Sequence, residues 1–296
     1  GVSFEVDTDG GVVVNFGEEN IEEEVTAKEY YSNLAETLDD EILNDIASTV
    51  IDNFQADRDS RGEWDSMFER GFDLLGLKLE DTTEPFEGAC TAVHPLLIES
   101  AVKFQAKASQ ELFPSGGPVK AQILGNQSVD KQEQANRVQN FMNYQLTEQM
   151  PEYFDEFERM LFHLPLIGSA IKKVYYDAGL ERPVSEFVPI DQFYVSYYAS
   201  NLRKADRYTH IIYRNPVDMQ RDIESGIYSD VELPDASNPS QTTLSEKLNT
   251  IMGISPTADS DPQYVLLEQH LHLDISDPEC EEGEFAPYIV TVEQES

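Results

Sequence analysis

The hydrophobic positions in the first half of the chain recur at helical spacing. Ile42, Ile46, Val50 and Phe54 follow one another four residues apart and predict one apolar stripe along a helix. The acidic run 39–41 precedes this stripe and suits the positive end of the helix dipole. A second helix is predicted over about 60–76, with the apolar positions Trp64, Met67, Phe68, Phe72 and Leu75.

Three further helices are predicted downstream. Pro95 opens one that runs to about 113, Ser128 caps one that reaches about 148, and Pro151 fits the first turn of the next. The Pro- and Gly-rich residues 114–118 end the first of these helices, and a short strand is predicted over 119–124. The expected buried face of the helix that starts at Pro95 consists of Leu97, Ala101, Phe104, Ala108 and Leu112.

In the second half of the chain the apolar spacing changes to two, which is typical of β-strands. Strands are predicted over 171–176, 184–188, 193–198, 208–214, 264–275 and 287–292. Pro216 opens a short helix to about 226, and the weak alternation of 2–16 around Asp9-Gly10 predicts a hairpin. The predicted fold class is therefore α+β, with a helix-rich N-terminal half followed by a mixed or antiparallel β region.

Residues 229–262 differ in composition from their surroundings. They are rich in Ser, Asp, Pro, Asn and Thr, and they contain one short helical patch near 243–252. We interpret this segment as a long exposed insertion. The predicted organisation is an acidic N-terminal hairpin with helices over 1–60, an α/β core over 61–228, a flexible polar and acidic insertion over 229–262, and β-strands over 263–296.

Charge narrows the range of functions. The 296 residues carry 57 acidic and 20 basic side chains, a net charge of -37. The net charge is -15 over residues 1–60, -6 over 61–214 and -16 over 215–296. A protein that clamps nucleic-acid phosphates needs an excess of Lys and Arg, so this class is excluded. Binding to anionic membranes is disfavoured for the same reason, and no apolar run approaches the roughly 18 residues of a membrane span.

Familiar catalytic and ligand motifs are missing from the sequence. It contains no GxxxxGK[ST], GxGxxG or GxSxG pattern. Glu5, Asp7 and Asp9 resemble the start of a calcium loop, but Phe16 stands where the bidentate Glu belongs. Cys90 lies four residues before His94 at a helix start, where a thiolate is stabilised, but no third orienting group accompanies it, and a small buried side chain is the simpler interpretation.

Two histidines form a weak metal hypothesis. His270 and His272 alternate along a predicted strand and face the same side, together with Glu268 and Asp274. No further Cys or His stands at ligand spacing, so pairing across the sheet is the competing interpretation.

The basic clusters are few. Lys172 and Lys173 form one, and Arg203, Lys204 and Arg207 form the other. They can contact DNA, contact an acidic neighbouring subunit, or simply lie solvated at strand ends. Because both ends of the chain are acidic, we favour pairing between unlike surfaces of two subunits over DNA.

Two sequence blocks resemble the portal proteins of tailed bacteriophages, in particular the head-to-tail connectors of short-tailed phages. The first block is residues 83–108, TEPFEGACTAVHPLLIESAVKFQAKA, followed by 111–121, ELFPSGGPVKA. The second is residues 164–177, LPLIGSAIKKVYYD, followed by 182–189, RPVSEFVP. The order and spacing of the blocks also match, and the resemblance covers roughly residues 60–215.

The resemblance implies a structural, non-enzymatic subunit without a cofactor, in a ring usually of twelve copies at one capsid vertex of the virion, assembled in the host cytoplasm. The implied partners are the major capsid protein, the terminase large subunit, tail adaptor proteins, and double-stranded DNA that passes through the ring. The implied fold is the α/β wing of a portal. Because portals are usually longer, this chain would be an N-terminal part, with stem, channel loop and crown beyond Ser296.

Two alternatives remain open. One is an acidic interaction protein, such as a DNA mimic that occupies a basic partner, which would be a compact monomer. The other is a hydrolase with a carboxylate site, for which Glu84, Glu87 and His94 are the candidates.

Overall fold

The computed structural model confirms a mixed α+β fold, with helices mostly in the N-terminal half and antiparallel strands in the C-terminal half. Among the described residues, no helix combines the length and the hydropathy needed to cross a membrane. The structure describes the strand backbones of 2–6 and 12–16, and residues 33–73, 75, 86, 94–177, 179–231, 233–238, 242–251, 253, 262–275 and 285–294.

The described helices match the predicted ones closely in position. Ser128 caps the fourth of them, because its hydroxyl accepts the backbone N–H of Lys131. That helix continues into a π-helical turn over Gln145–Gln149. The helices are α1 (Asp40–Ser60), α2 (Gly62–Asp73), α3 (Leu96–Leu112), α4 (Val129–Tyr144), α5 (Glu152–Ile167), α6 (Pro216–Glu224) and α7 (Thr243–Ile251).

The described strands pair only with antiparallel neighbours. β1 pairs with β2, which confirms the predicted N-terminal hairpin, although its turn lies outside the described residues. β3 pairs with β4, and β5, β6, β7 and β8 form one four-stranded sheet in that order. The strands are β1 (Val2–Val6), β2 (Val12–Phe16), β3 (Ile171–Asp177), β4 (Arg182–Val188), β5 (Phe193–Val195), β6 (Arg207–Arg214), β7 (Tyr264–Asp274) and β8 (Phe285–Glu293).

The predicted stripe of α1 packs against the four-stranded sheet. Val50 and Phe54 are buried together with Tyr194, Ile211 and Leu267, and the Phe54 and Tyr194 rings meet edge to face at 5.1 Å. Each such apolar side chain contributes about 1.5–3 kcal/mol when it leaves water. The N-terminal acidic segment and the late strands therefore share one core.

Two polar contacts fix how α1 lies on this sheet. The Asp57 carboxylate is 3% exposed and accepts two hydrogen bonds of 2.9 Å from the Arg207 guanidinium. Four residues earlier on the helix, Asn53 donates to the buried side chain of Gln269, which in turn donates to Thr209 at 2.8 Å. These contacts set the rotation of α1 because they satisfy polar groups that are buried between the helix and the sheet.

A second core lies between α2, the end of α5 and α7. Phe72, Leu75, Ile167, Leu244 and Leu248 are buried there. The helical patch in the polar segment 229–262 is thus present, but it is a core element and not part of an exposed insertion. Its two leucines stand at i, i+4 spacing, which places them on one face toward α2.

The predicted buried face of α3 is only partly correct. Ala101 is buried and Ala108 is half-buried, but Leu97, Phe104 and Leu112 are exposed, Phe104 to 43%. The reason is that α3 packs against α5 along a different line, where Gln105 donates to the Glu158 carbonyl oxygen at 3.1 Å.

The predicted strand over 119–124 is wrong. The segment instead runs along α4, whose side-chain amides take the place of a neighbouring strand. Asn143 accepts the Val119 N–H at 2.8 Å and donates to the Val119 carbonyl oxygen at 3.1 Å, and Gln139 accepts the Ala121 N–H. Gly117 has a φ of 96°, and a Cβ there would stand 2.6 Å from the Asn143 side chain, so glycine is required on both counts.

The Asp57–Arg207 pair yields the first prediction. Arg207→Met should lower the free energy of unfolding by about 3–5 kcal/mol, because it leaves a buried carboxylate without its cation. Adding Asp57→Leu should restore most of this loss, since no buried charge then remains. Urea unfolding in dilute buffer measures both effects.

Arg221→Met is the matched control, because this exposed cation lies on α6 away from the pair. Its stability should stay within about 0.5 kcal/mol of the parent. An Arg207→Met variant as stable as this control would show that the pair does not hold α1 in place.

Candidate functional site

An ion pair joins the β3–β4 hairpin to the four-stranded sheet. The Lys173 ammonium donates to both carboxylate oxygens of Glu268, at 2.6 and 2.7 Å. Both side chains are largely shielded from water. The two residues are 95 positions apart in the sequence, so this contact is one that local patterns do not reveal.

The alternation of β3 explains which side chains reach this junction. Lys173 and Tyr175 are two residues apart and face the same side of the hairpin. Glu186 lies directly opposite Lys173 in the strand register and accepts a hydrogen bond of 3.1 Å from the Tyr175 hydroxyl. Burial and the neighbouring Glu186 carboxylate raise the pKa of Tyr175 well above its ordinary value.

Two histidines flank Glu268. His210 is its direct partner in the strand register, with Nδ1 at 3.9 Å, and His270 Nε2 lies 3.4 Å away. The Tyr208 ring stacks on His270 at 4.6 Å. Burial alone would raise the pKa of Glu268, but the two imidazoles and the Lys173 ammonium outweigh it and hold that pKa well below its usual range.

This arrangement fixes what the junction can do. A carboxylate whose pKa is held this far below neutral pH is a weak base, which makes Glu268 a poor general base. Its oxygens already accept the lysine, and among the described residues no three His, Cys, Asp or Glu side chains are placed so that they could hold a metal ion. Of the two predicted metal ligands, only His270 lies at the junction, whereas His272 is exposed and faces Pro287 in the register.

The two lysines of the first basic cluster point to opposite sides of β3. While Lys173 pairs with Glu268, the Lys172 ammonium lies over the rings of Tyr153 and Phe157, at 4.0 and 4.7 Å from their centroids. Burial lowers the pKa of Lys172. Both side chains therefore make internal contacts in the folded chain.

The second basic cluster is also divided. Arg207 is held by Asp57, as described above, while Arg203 and Lys204 lie exposed on the loop between β5 and β6. Only these two of the five predicted contact residues are displayed on the surface.

Of the other candidate residues, His94 lies in the described part of the chain. His94 is exposed at the start of α3. Glu84, Glu87 and Cys90 lie outside the described residues, as do the side chains of the calcium-like stretch 5–9.

The cavities of the described part are small or open. A cavity of 80 Å³ between α1 and the sheet is lined by residues that include Arg58, Asp191 and Tyr213, and it has room for only a few waters. A concavity of 620 Å³ opens to solvent beside the start of α1, where Asp39, Glu41 and Asp45 line it. The candidate functional features are therefore surfaces.

Exposed apolar side chains give both α3 and α4 an apolar face. No residue of α4 is buried, yet Val138, Phe141 and Met142 are exposed on it, Phe141 to 57%. On α3, Leu97, Phe104 and Leu112 are exposed as well. The i, i+3, i+4 spacing on α4 is a sequence signal for this face, and it was not recognised from the sequence.

Comparison of the sequence with protein-family models and with curated proteins gave no match. The resemblance carried by the two blocks described above therefore stays a prediction.

The Glu268 junction yields the second prediction. Because the folded-state pKa of Glu268 lies below its unfolded value, its stabilising effect is complete above about pH 5 and is lost as the pH falls further. Glu268→Gln should lower the free energy of unfolding by about 2 kcal/mol at pH 7, and this difference should shrink steadily from pH 5 to pH 3. Urea unfolding across this pH range measures it.

Glu133→Gln, at an exposed position of α4, is the control and should follow the parent at every pH. If Glu268→Gln ran parallel to the parent from pH 7 to pH 3, the carboxylate would not be held ionised by its neighbours.

Proposed function

We propose that this chain is a structural subunit of the portal of a tailed bacteriophage, the head-to-tail connector. It forms a ring at one capsid vertex of the virion, through which double-stranded DNA is packaged and ejected. In this role it contacts the major capsid protein, the terminase large subunit and tail adaptor proteins, and it catalyses no reaction. The two sequence blocks supply the family, and the surfaces of the folded chain support an assembling subunit.

The observation that carries the proposal is the apolar face of α3 and α4. A 16-residue helix without buried residues gains little from its own hydrogen bonds, because isolated helices of this length are marginal in water. Exposed apolar patches of this kind mark surfaces that other proteins cover.

The charge of the same region supports association between like copies. Residues 96–148 carry five acidic and five basic side chains and are therefore neutral, in a chain of net charge -37. Two copies repel one another over most of their surfaces, and this repulsion is weakest where the net charge is zero. A ring of this acidic chain therefore has its most favourable contacts on α3 and α4.

A weak hold on DNA also fits the proposal. Three of the five predicted basic contact residues, Lys172, Lys173 and Arg207, are engaged inside the fold and are not free to contact phosphates. A conduit must let DNA slide, and counterion release at many phosphate contacts would oppose this.

One observation favours the second candidate, an acidic protein that occupies a basic partner. The exposed side of α1 carries several carboxylates beside the open concavity at its start. Such a protein acts as a compact monomer, so the oligomeric state separates the two functions.

The test is the size of the assembled particle. Native mass measurement and negative-stain imaging of the full chain should show closed rings of many copies, whose fraction rises with salt because screening weakens the repulsion between acidic subunits. A monomer at every salt concentration would contradict the proposal.

Substitution of the apolar face gives the third prediction. Phe141→Glu should shift the protein from rings to smaller species while its circular dichroism stays that of the parent, because Phe141 is exposed within one copy. Asn136→Glu adds the same charge on another side of α4 and should assemble normally. Equal ring fractions for the two variants would place the subunit contact elsewhere.

A further inference from the structure

The loop between β5 and β6 displays two large aromatic rings. Tyr197 is 71% exposed and Tyr198 is 95% exposed, and the two rings meet edge to face at 5.2 Å. In the same loop, Asn201 caps the short 3₁₀ turn Leu202–Lys204 by accepting the Lys204 N–H at 3.1 Å. The loop thus presents both rings to solvent.

The same loop carries the two surface cations of the second basic cluster. Within the part of the chain that the structure describes, Arg203 and Lys204 make no ion pair, whereas Arg207, at the end of the loop, is fully engaged by Asp57. Their charge is therefore displayed outward beside the two tyrosines. The loop also carries the exposed Asp206, so residues 196–206 have two basic and one acidic side chain and a net charge of +1, against -37 for the whole chain.

Two exposed tyrosines and two exposed cations on one loop are typical of a protein–protein contact surface. Tyr and Arg are enriched among the residues that contribute most to protein–protein binding, since they bury a large area and keep a polar end. The two cations add electrostatic selection for a negatively charged partner.

An acidic surface is present on the same chain. The exposed side of α1 carries Asp39, Asp40, Glu41 and Asp45, and three of these line the open concavity of 620 Å³. The loop of the same copy lies near the other end of α1, because Arg207 pairs with Asp57. At 1.5 Å per residue, Asp45 lies about 18 Å and Asp39 about 27 Å from Asp57 along α1. The loop and the acidic start of α1 are therefore at opposite ends of the helix within one copy.

We propose that the β5–β6 loop of one copy docks on the acidic start of α1 in a second copy. The contact joins two different surfaces, so it repeats from copy to copy and closes a ring when the rotation between copies allows it. This inference rests on the proposed ring and names a contact within it. A second copy is favoured over DNA because the chain itself supplies the complementary surface, the exposed carboxylates at the start of α1.

The test reverses the charges on each side. Arg203→Glu with Lys204→Glu should reduce the ring fraction at least tenfold at a fixed moderate salt concentration, and Asp39→Lys with Asp45→Lys should do the same. A chain that carries all four changes should recover rings, because each reversed loop then meets a reversed α1. Native mass measurement reads the ring fraction, and circular dichroism verifies the fold.

Arg70→Glu with Arg221→Glu is the matched control, since it changes two exposed cations elsewhere by the same total charge and should leave the rings intact. The docking contact would be overturned if the loop variant formed rings as well as the parent, or if the chain with all four substitutions failed to recover them. Neither result would contradict the ring itself. Loss of binding to a DNA duplex with unchanged rings would assign the loop to DNA and overturn the contact too. Absence of rings from the parent chain would instead overturn the proposed function.

Discussion

The scarcity of positive charge is the constraint on which the other features of this structure depend. A buried carboxylate requires a cation or several hydrogen-bond donors, and this chain has 20 basic side chains for 57 acidic ones. Arg207 pairs with Asp57 and thereby holds α1 on the four-stranded sheet. Lys173 pairs with Glu268 and thereby holds the β3–β4 hairpin against the same sheet. Positive charges in the middle of the chain thus set the position of the elements around them.

The remaining surface follows from the same constraint. Carboxylates that have no cation stay in water, where they keep copies of the chain apart. Association is then restricted to places where charge is absent or of the opposite sign. The apolar faces of α3 and α4 lie in a region without net charge, and the loop with Arg203 and Lys204 carries charge of the opposite sign. Under the proposed function, assembly of such a chain is governed by these local surfaces, and a change of one or two charges there has a large effect.

Much of the fold could be predicted from the sequence, because apolar periodicity and capping residues act over short distances. The positions of α1, α4 and α7 and of most strands followed from these signals. The conformation of the segment 119–124 was not predicted correctly, because its backbone hydrogen-bonds to the side-chain amides of Asn143 and Gln139 and not to another strand. The candidate site was less predictable still. Lys172 and Lys173 form one basic pair in the sequence, yet one side chain lies over aromatic rings and the other pairs with a carboxylate 95 residues away.

The sequence by itself determined the class of fold, the approximate ends of its elements and the division of the chain into acidic ends and a nearly balanced middle. These properties depend on neighbours within a few residues or on composition alone. Only the tertiary structure decided which face of α3 is buried, that α7 belongs to a core, and which cations remain on the surface. Those outcomes depend on contacts between distant segments, such as Asp57 with Arg207 and α2 with α7, and a helix or a lysine carries no local mark of the partner that it will meet.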